Sequence, residues 1–359
     1  MRRLIWCGLI FIGLGYNEIT EACLGARPLS MGGAFIAVAD DIHSCYWNPA
    51  GMGNLQKGEI TWMKTLNNNA LINYQDWTAF GVRMGNAGIG ISKVKAINHY
   101  LSIYDKTNGE YKYKYTYYSN DDWTTVSFGG WGAGMFDNTA MGVNIRKYSH
   151  ALEKRDDFNL WKDGKDTRDG MGYEAEATGY DLGFLHKLIG DKVTLGLLIQ
   201  DINEPRYEFN KDIWVCELGH AFEQYPGAEC PICRKNDNRG VKIEKRHLYR
   251  QHPRNIRPGI AWKPDEKTIV AMDVYYFNVK DVYAQEHQSE VRIGAERYLT
   301  DNLCVRAGFY GKAFHTLGVG LKNKPDEKST APKMLYQIDY GLLDSGDVGT
   351  HLLSVTLKW

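Results

Sequence analysis

The sharpest chemical signal in this chain is a group of cysteine and histidine residues in its second half. Cys216 is followed by His220 at i+4, and Cys230 is followed by Cys233 at i+3. Thiolate and imidazole groups are ligands that Zn²⁺ prefers, and two closely spaced pairs of them complete a tetrahedral site. Four protein ligands leave no open coordination position, so we expect a structural rather than a hydrolytic zinc ion.

The Cys-Pro-Ile-Cys knuckle at residues 230–233 resembles a zinc-ribbon module, and we delimit this insertion to residues 205–253. A segment of this size is too small for an apolar core of its own, so the metal would hold it together. Two alternatives stay open. Iron is one, and a disulfide is the other, because exported thiols meet an oxidising compartment.

No other set of residues has the spacing of a catalytic site. The chain has no Gly-x-Ser-x-Gly elbow and no phosphate-binding loop, and its other histidines are scattered. Its formal net charge is zero, with 43 basic and 43 acidic residues, and no basic stripe stands out. We therefore expect neither an enzyme nor a nucleic-acid-binding protein.

The N-terminus has the features of a secretory signal peptide. Two arginines precede an apolar run over residues 4–14, which is too short to span a membrane but fits a signal-peptide core. We predict that residues 1–22 are removed, which leaves Cys23 near the mature start. A lipoprotein signal is the alternative, since Cys23 follows Ala22, although Glu21 fits that signal badly.

The rest of the chain predicts an all-β fold. After residue 23 no apolar run is long enough for a transmembrane helix, and an exported chain of this kind crosses a membrane only as a closed barrel. Alternation of apolar and polar residues predicts a transmembrane antiparallel barrel over residues 58–359, with fourteen strands or, as the alternative, twelve. The fourteen are residues 58–65, 75–83, 87–95, 122–130, 138–147, 173–186, 192–202, 254–262, 267–277, 288–298, 302–310, 313–321, 334–342 and 351–359. The longer connections, expected to be external loops, are residues 66–74, 96–121, 148–172, 203–253, 278–287 and 343–350.

The two faces of these strands differ in polarity. One face is apolar, and the other carries charged and polar residues that we place in the lumen: Asp273, Arg292, Glu296, Arg306, Gln337 and Asp339. At the C-terminus, Leu353, Val355, Leu357 and Trp359 alternate with polar residues, and the chain ends on the aromatic residue. Outer-membrane barrels usually end this way, so we interpret these four residues as a membrane-insertion signal for the barrel-assembly machinery. The last strand of a soluble sandwich is the alternative.

Residues 23–57 precede the first strand and are too irregular to form one. Their small side chains would let them pack tightly inside a lumen, and a periplasmic arm is the alternative. The segment contains three short motifs: Met31-Gly32-Gly33, the paired Asp40-Asp41, and Asn48-Pro49-Ala50-Gly51.

In combination, these motifs resemble the N-terminal signature of the FadL/PorV superfamily of outer-membrane barrels. The resemblance covers about thirty residues. It implies a fourteen-stranded barrel whose N-terminal segment forms a hatch that plugs the lumen. The modest chain length and the C-terminal strand are more similar to the compact PorV/PorQ-like members.

The superfamily implies two different functions. FadL-type members are channels for hydrophobic compounds such as long-chain fatty acids, and this is the function we expect. A PorV-like component of type IX protein secretion and surface attachment is the alternative. The expected location is the outer membrane of a Gram-negative-type bacterium, with the zinc-ribbon loop outside the cell. The expected partners are outer-membrane lipid and either hydrophobic small molecules or secreted proteins.

Overall fold

The computed structural model describes residues 24–66, 74–107, 110–155, 173–216, 221–222, 240–280, 285–311, 314–323, 334–344 and 349–359. Two short α-helices, α1 (Ala26–Ser30) and α2 (Ser44–Trp47), and a 3₁₀-helix at Pro49–Asn54 precede the strands. In chain order the strands are β1 (Gly58–Thr65), β2 (Tyr74–Met84), β3 (Ala87–Thr107), β4 (Glu110–Trp131), β5 (Thr139–Arg155), β6 (Tyr173–Lys187), β7 (Val193–Gln200), β8 (Arg206–Cys216), β9 (Ala221–Phe222), β10 (Gly240–Gln251), β11 (Asn255–Asp265), β12 (Thr268–Lys280), β13 (Gln285–Tyr298), β14 (Leu303–Tyr310), β15 (Phe314–Lys322), β16 (Leu335–Asp344) and β17 (Gly349–Lys358).

Fourteen of these strands form one closed barrel in which every neighbouring pair is antiparallel. The order follows the chain from β1 to β7, continues with β11 to β17, and closes where β17 pairs with β1. Strands β8, β9 and β10 leave the barrel and form a separate three-stranded sheet. Closure pairs the backbone groups of the first and last strands, so the barrel has no open edge.

All fourteen predicted barrel strands are present, which decides the strand number in favour of fourteen. The predicted loop at residues 96–121 is wrong over most of its length, because β3 continues to Thr107 and β4 begins at Glu110. Likewise, β5 reaches Arg155, and the connection at residues 203–253 contains β8, β9 and β10. Beyond an apolar environment both faces of a strand can be polar, so the alternation that marks a strand fades there.

The outer surface of the barrel is apolar, whereas its interior contains buried charged and polar side chains together with a cluster of apolar ones. Large apolar side chains are exposed on most strands, including Ile60, Trp62, Phe80, Ile91, Phe128, Met141, Val143, Leu195, Ile260, Met272, Ile293, Leu317, Val319 and Ile338. Of the charged residues predicted to face the lumen, Asp273, Arg292, Glu296, Arg306 and Asp339 are buried. In the C-terminal strand Ser354 and Thr356 are buried, whereas Trp359 is exposed. A water-soluble protein rarely exposes contiguous apolar surface of this extent.

Among the described residues, no helix has the length and apolar character that a membrane crossing requires.

Candidate functional site in the barrel lumen

The lumen is filled by residues 24–57, which we call the N-terminal segment. From Leu24 to Leu55 its residues are buried, apart from Asp40 and Asn54, which are partly exposed. Gly32 and Gly33 have φ angles of 64° and 69°, values that glycine adopts without steric cost, and they turn the chain after α1. The segment therefore crosses the lumen as a compact plug rather than an extended strand.

A line of glycines on four neighbouring strands receives one end of this plug. Gly88, Gly129, Gly142 and Gly183 lie opposite one another in the register of β3, β4, β5 and β6. A Cβ atom on Gly129 would lie 1.9 Å from the carbonyl oxygen of Pro49, and one on Gly183 would lie 2.1 Å from Oδ1 of Asn48. Only glycine leaves room for this close approach of the segment to the wall.

The Asn48 side chain fixes the conformation of this contact. Its Oδ1 accepts a hydrogen bond from the backbone N–H of Ala50 at 3.1 Å, which caps the 3₁₀-helix. Its Nδ2 donates to the carbonyl oxygens of Ile36 and Phe184, at 2.9 and 3.1 Å. One amide thus connects two parts of the N-terminal segment to strand β6.

A buried arginine holds the other end of the segment. The Arg27 guanidinium donates to Asp40 and Asp41 within the segment, with N–O distances of 2.6 and 2.7 Å. It also donates to both carboxylate oxygens of Glu296 on β13, at 2.8 and 2.9 Å. Bidentate arginine–carboxylate pairs are among the stronger hydrogen-bonded contacts in proteins.

The ion pairs extend from Arg27 across the barrel wall. Glu296 also accepts from Arg306 at 2.6 Å, and Arg306 donates to Asp339 at 2.7 Å. Closer to the closing strands, Lys358 lies 3.4 Å from Glu59 and 3.9 Å from Asp41. Removing one member of a buried ion network leaves the others charged and unpaired, which costs about 3–5 kcal/mol.

The ion pairs keep the segment's own charges ionised. Burial opposes the charge on Arg27, but the carboxylates of Asp40, Glu296 and Asp41 raise the pKa of its guanidinium above the ordinary value. Burial likewise favours the neutral form of Asp41, but the His43 and Arg27 charges lower the pKa of its carboxyl well below the ordinary range. Both groups therefore stay charged while the segment is in place.

A third contact fixes the middle of the segment. Oδ2 of Asp273 accepts hydrogen bonds from the backbone N–H groups of Phe35 and Ile36, at 2.7 and 2.9 Å. On the same strand, the Tyr275 hydroxyl donates to the carbonyl oxygen of Gly33 at 3.2 Å. The wall thus satisfies backbone groups of the segment that water cannot reach.

The base of the three-stranded sheet folds into the lumen near Tyr148 of β5. The Tyr148 hydroxyl donates to both carboxylate oxygens of Asp201, at 2.8 and 2.9 Å. The ring of His252 stacks on Tyr148 with 4.2 Å between centroids, and its Nε2 lies 3.0 Å from the Tyr207 hydroxyl. Burial, followed by the nearby Arg146 charge, lowers the pKa of His252 to about 3, so this imidazole is neutral.

A cavity of about 160 Å³ lies between the N-terminal segment and the wall, at the end of the barrel where the chain enters β1. Arg27, Asp40 and Gln56 line it from the segment. Tyr298, Lys322, Leu335, Tyr336, Gln337 and Lys358 line it from the wall. It is polar and large enough for several water molecules, so the segment is not packed against the wall on every side.

The predicted site residues fall into three groups. Nine of them lie together in the N-terminal segment: Met31, Gly32, Gly33, Asp40, Asp41, Asn48, Pro49, Ala50 and Gly51. The four C-terminal residues Leu353, Val355, Leu357 and Trp359 lie on the outer side of β17, and their role in insertion stays a prediction. The third group is the predicted zinc ligands.

Of these ligands, Cys216 is the last residue of β8, and the others lie outside the described residues: His220, Cys230 and Cys233. Within the described part of the chain, no group of three or more histidine, cysteine, aspartate or glutamate residues is arranged to hold a metal ion. The zinc site therefore stays a prediction.

The partners of the paired aspartates were missed by the sequence analysis. Arg27 lies 13 positions before Asp40 in the sequence, and Glu296 was predicted to face the lumen. Nothing in the sequence joins these two residues, which are 269 positions apart. The alternation of side chains along β13 predicts that Glu296 faces the lumen, but it does not predict the residue with which Glu296 pairs.

No protein-family model and no curated protein matches this chain. Solved structures do. It is similar to the CymD monoaromatic hydrocarbon channel with a TM-score of 0.56, at 12% identity, over 93% of this chain and 96% of that one. The Pseudomonas putida toluene transporter TodX matches with a TM-score of 0.55, at 11% identity, over 93% and 97% of the two chains. A FadL homologue from Pseudomonas aeruginosa matches with a TM-score of 0.52, at 11% identity, over 92% and 96%. At these identities the likeness establishes the barrel fold.

Proposed function

We propose that this protein is an outer-membrane channel for hydrophobic compounds and that the N-terminal segment is its hatch. The observation that carries the proposal is a lumen closed by the chain's own segment, which is attached to the wall by hydrogen bonds and ion pairs. Contacts of this kind can break and re-form when a segment moves. Solved structures with the same fold include a monoaromatic hydrocarbon channel and a toluene transporter, which agrees with this function.

The outer surface supports the membrane location. Exposed apolar side chains surround the barrel, and each of the fourteen barrel strands is paired with a neighbour on both sides. In lipid, only closed barrels and helices satisfy all their backbone hydrogen bonds. A water-soluble barrel would gain nothing from this distribution of apolar residues.

A reversible covalent lock tests the gating role of the segment. A Cβ atom on Gly341 would lie 3.7 Å from Cβ of Ser30, which is within the range of a disulfide. We expect the Ser30→Cys/Gly341→Cys double variant, oxidised and reconstituted in liposomes, to take up a hydrophobic probe such as toluene or oleate at least about tenfold more slowly than the wild type. Reduction with dithiothreitol should restore uptake.

The two single variants, Ser30→Cys and Gly341→Cys, are the matched controls, because they carry the same substitutions without the cross-link. Their uptake should not respond to oxidation. Uptake by the oxidised double variant at the wild-type rate would show that the segment does not have to move, and the hatch proposal would be lost.

The insertion between β7 and β11 is proposed to contain a structural zinc ion bound by Cys216, His220, Cys230 and Cys233. In support, β8 ends at Cys216 and pairs antiparallel with β9, which begins at Ala221, the residue after His220. Metal analysis of the full chain should give one zinc per protein, and the Cys230→Ser/Cys233→Ser variant should lose it. Zinc at full occupancy in that variant would contradict the site.

A second candidate function is that of a PorV-like component in protein secretion. The observation that favours it is the three-stranded sheet outside the barrel, which is a surface suited to a protein partner. Gentle extraction followed by native mass spectrometry distinguishes the two candidates. A retained polypeptide would favour secretion, and retained small hydrophobic molecules would favour the channel.

A further inference from the structure

One wall of the barrel carries a sharp boundary between apolar and polar side chains. Five outward-facing residues form an apolar row across strands β2 to β6. In the register of these strands they are Phe80, Ile91, Val126, Ile145 and Tyr180. Four of them are among the exposed large apolar residues, and Val126 is partly exposed. This row is part of the apolar outer surface described above.

The next row of outward-facing residues lies nearer to the strand ends that carry the long connections. Its side chains all end in a hydroxyl or an ammonium group. Its members are Thr78, Lys93, Thr124, Lys147 and Thr178. The row after that is Asp76, Lys95, Asp122, Ser149 and Glu176. In one patch, Lys93 and Lys147 are exposed on either side of Thr124 and border the apolar surface directly, and the exposed Lys95 lies one row beyond them.

We infer that this patch binds the phosphate of an anionic lipid headgroup. The inference rests on the membrane location proposed above. With the acyl chains against the apolar row, the headgroup comes to lie at the level of the threonine–lysine row. Ammonium and hydroxyl groups both donate hydrogen bonds to phosphate oxygens, and lysine stems can lie on apolar surface while their charges reach the headgroups. Basic residues at a membrane surface attract anionic lipids in this way.

The acidic residues of the third row, Asp76, Asp122 and Glu176, offset part of the charge of these lysines, and Asp122 interacts with Lys95 and Lys93. Lys147 pairs with Glu176 at 2.9 Å, but both side chains are 61% exposed, and an ion pair so exposed is worth little. Because the carboxylates lie one row further from the apolar surface, they repel phosphate from that level. The headgroup is therefore directed to the row of Lys93 and Lys147.

The opposite wall has a different boundary. Among the described residues of β13, β15, β16 and β17, the outward side chains just beyond the apolar surface are Ser289, His315, Asp344 and His351. No lysine stands among them. Among these four strands the boundary thus lacks the group of lysines found on β3 and β5, which favours a binding site over a general interfacial belt.

The test is competition between two lipids with the same acyl chains. The full-length protein in detergent is incubated with equal amounts of phosphatidylglycerol and phosphatidylcholine, and the lipids that it retains are counted by native mass spectrometry. We expect wild-type protein to retain phosphatidylglycerol in at least about fivefold excess. The Lys93→Gln/Lys95→Gln/Lys147→Gln variant should retain the two lipids about equally.

The matched control is Lys192→Gln/Lys263→Gln/Lys267→Gln, which removes three exposed lysines at the other end of the barrel. It should keep the wild-type preference. An equal loss in both triple variants, or no preference in the wild type, would overturn the inference. Displacement of phosphatidylglycerol by millimolar inorganic phosphate would also overturn it, because the site would then bind free phosphate and not lipid.

Lipid preference tests this inference and probe uptake tests the proposed function, so the failure of one can be distinguished from the failure of the other. If the lysine variant loses its lipid preference but takes up the hydrophobic probe at the wild-type rate, both proposals stand. If the lipid preference is absent and uptake is normal, the channel stands without the lipid site.

Discussion

Arg27 is the residue on which attachment of the N-terminal segment depends most. It is buried and is the only described side chain that pairs with Asp40, Asp41 and Glu296 together. We expect Arg27→Gln to weaken attachment of the segment by about 3–5 kcal/mol, because Asp41 and Glu296 stay buried with one counter-charge fewer. Proteolysis of the folded protein, followed by mass spectrometry, should show faster cleavage within residues 24–57 and an intact barrel.

Arg297→Gln is the matched control, since Arg297 forms an exposed ion pair with Asp265 at 3.4 Å. It should leave proteolysis of the segment unchanged. Equal protection of the segment in the Arg27 variant and the wild type would mean that the ion pairs do not hold it.

Single residues show how far sequence analysis reaches at this scale. The lumenal position of Glu296 and Arg306 followed from strand alternation, because a two-residue period assigns each side chain to a face. Their pairing with Arg27 did not, since barrel closure and the path of the segment decide which charges meet. Long-range contacts of this kind depend on tertiary structure and have no local signal.

At the scale of elements, the fit between the 3₁₀-helix and the glycine line can be tested directly. A Cβ atom on Gly142 would lie 2.3 Å from the carbonyl carbon of Pro49 and 2.4 Å from the nitrogen of Ala50. We expect Gly142→Ala to displace this part of the segment at a cost of about 1–3 kcal/mol. Uptake of the hydrophobic probe by the reconstituted variant should rise above that of the wild type.

Gly349→Ala is its control, because among the described residues a Cβ atom there would approach only the side chains of Leu342 and His351, at 3.2 Å and 3.8 Å. That variant should take up the probe at the wild-type rate. If Gly142→Ala does the same and the segment stays protected from proteolysis, the close contact at the glycine line does not retain the segment.

The strands themselves were predictable to different degrees. Those that cross the apolar zone were found because lipid-facing and lumen-facing side chains must alternate there. The outer parts of β3 and β4, and the sheet of β8, β9 and β10, fall in segments that the sequence analysis predicts to be loops. Outside that zone both faces of a strand can carry polar residues, so no alternation of side chains is required. Hydrogen bonds between neighbouring strands are then enough to extend them.

On the scale of the whole molecule, the two faces of the barrel sheet carry different side chains and have different surroundings. The lumenal surface binds the N-terminal segment through charges and close backbone contacts. The outer surface is apolar and ends, on one wall, at the threonine–lysine row. Charged groups are buried inside the barrel, and apolar side chains are exposed on its outside. This distribution is stable when the outer surface faces lipid, so the membrane location can be tested by measuring the free energy of unfolding.

Val143 is suited to that test, since it is 40% exposed on the outer wall and lies opposite Phe128 and Leu182 of the neighbouring strands. We expect Val143→Arg to lower the free energy of unfolding in lipid vesicles by about 2–4 kcal/mol, the cost of a cation near the middle of a bilayer. Thr178→Arg, on the same wall but in the polar row, should cost about 1 kcal/mol or less. Urea unfolding of both variants from vesicles measures the difference, and equal effects at the two positions would contradict a membrane-spanning outer wall.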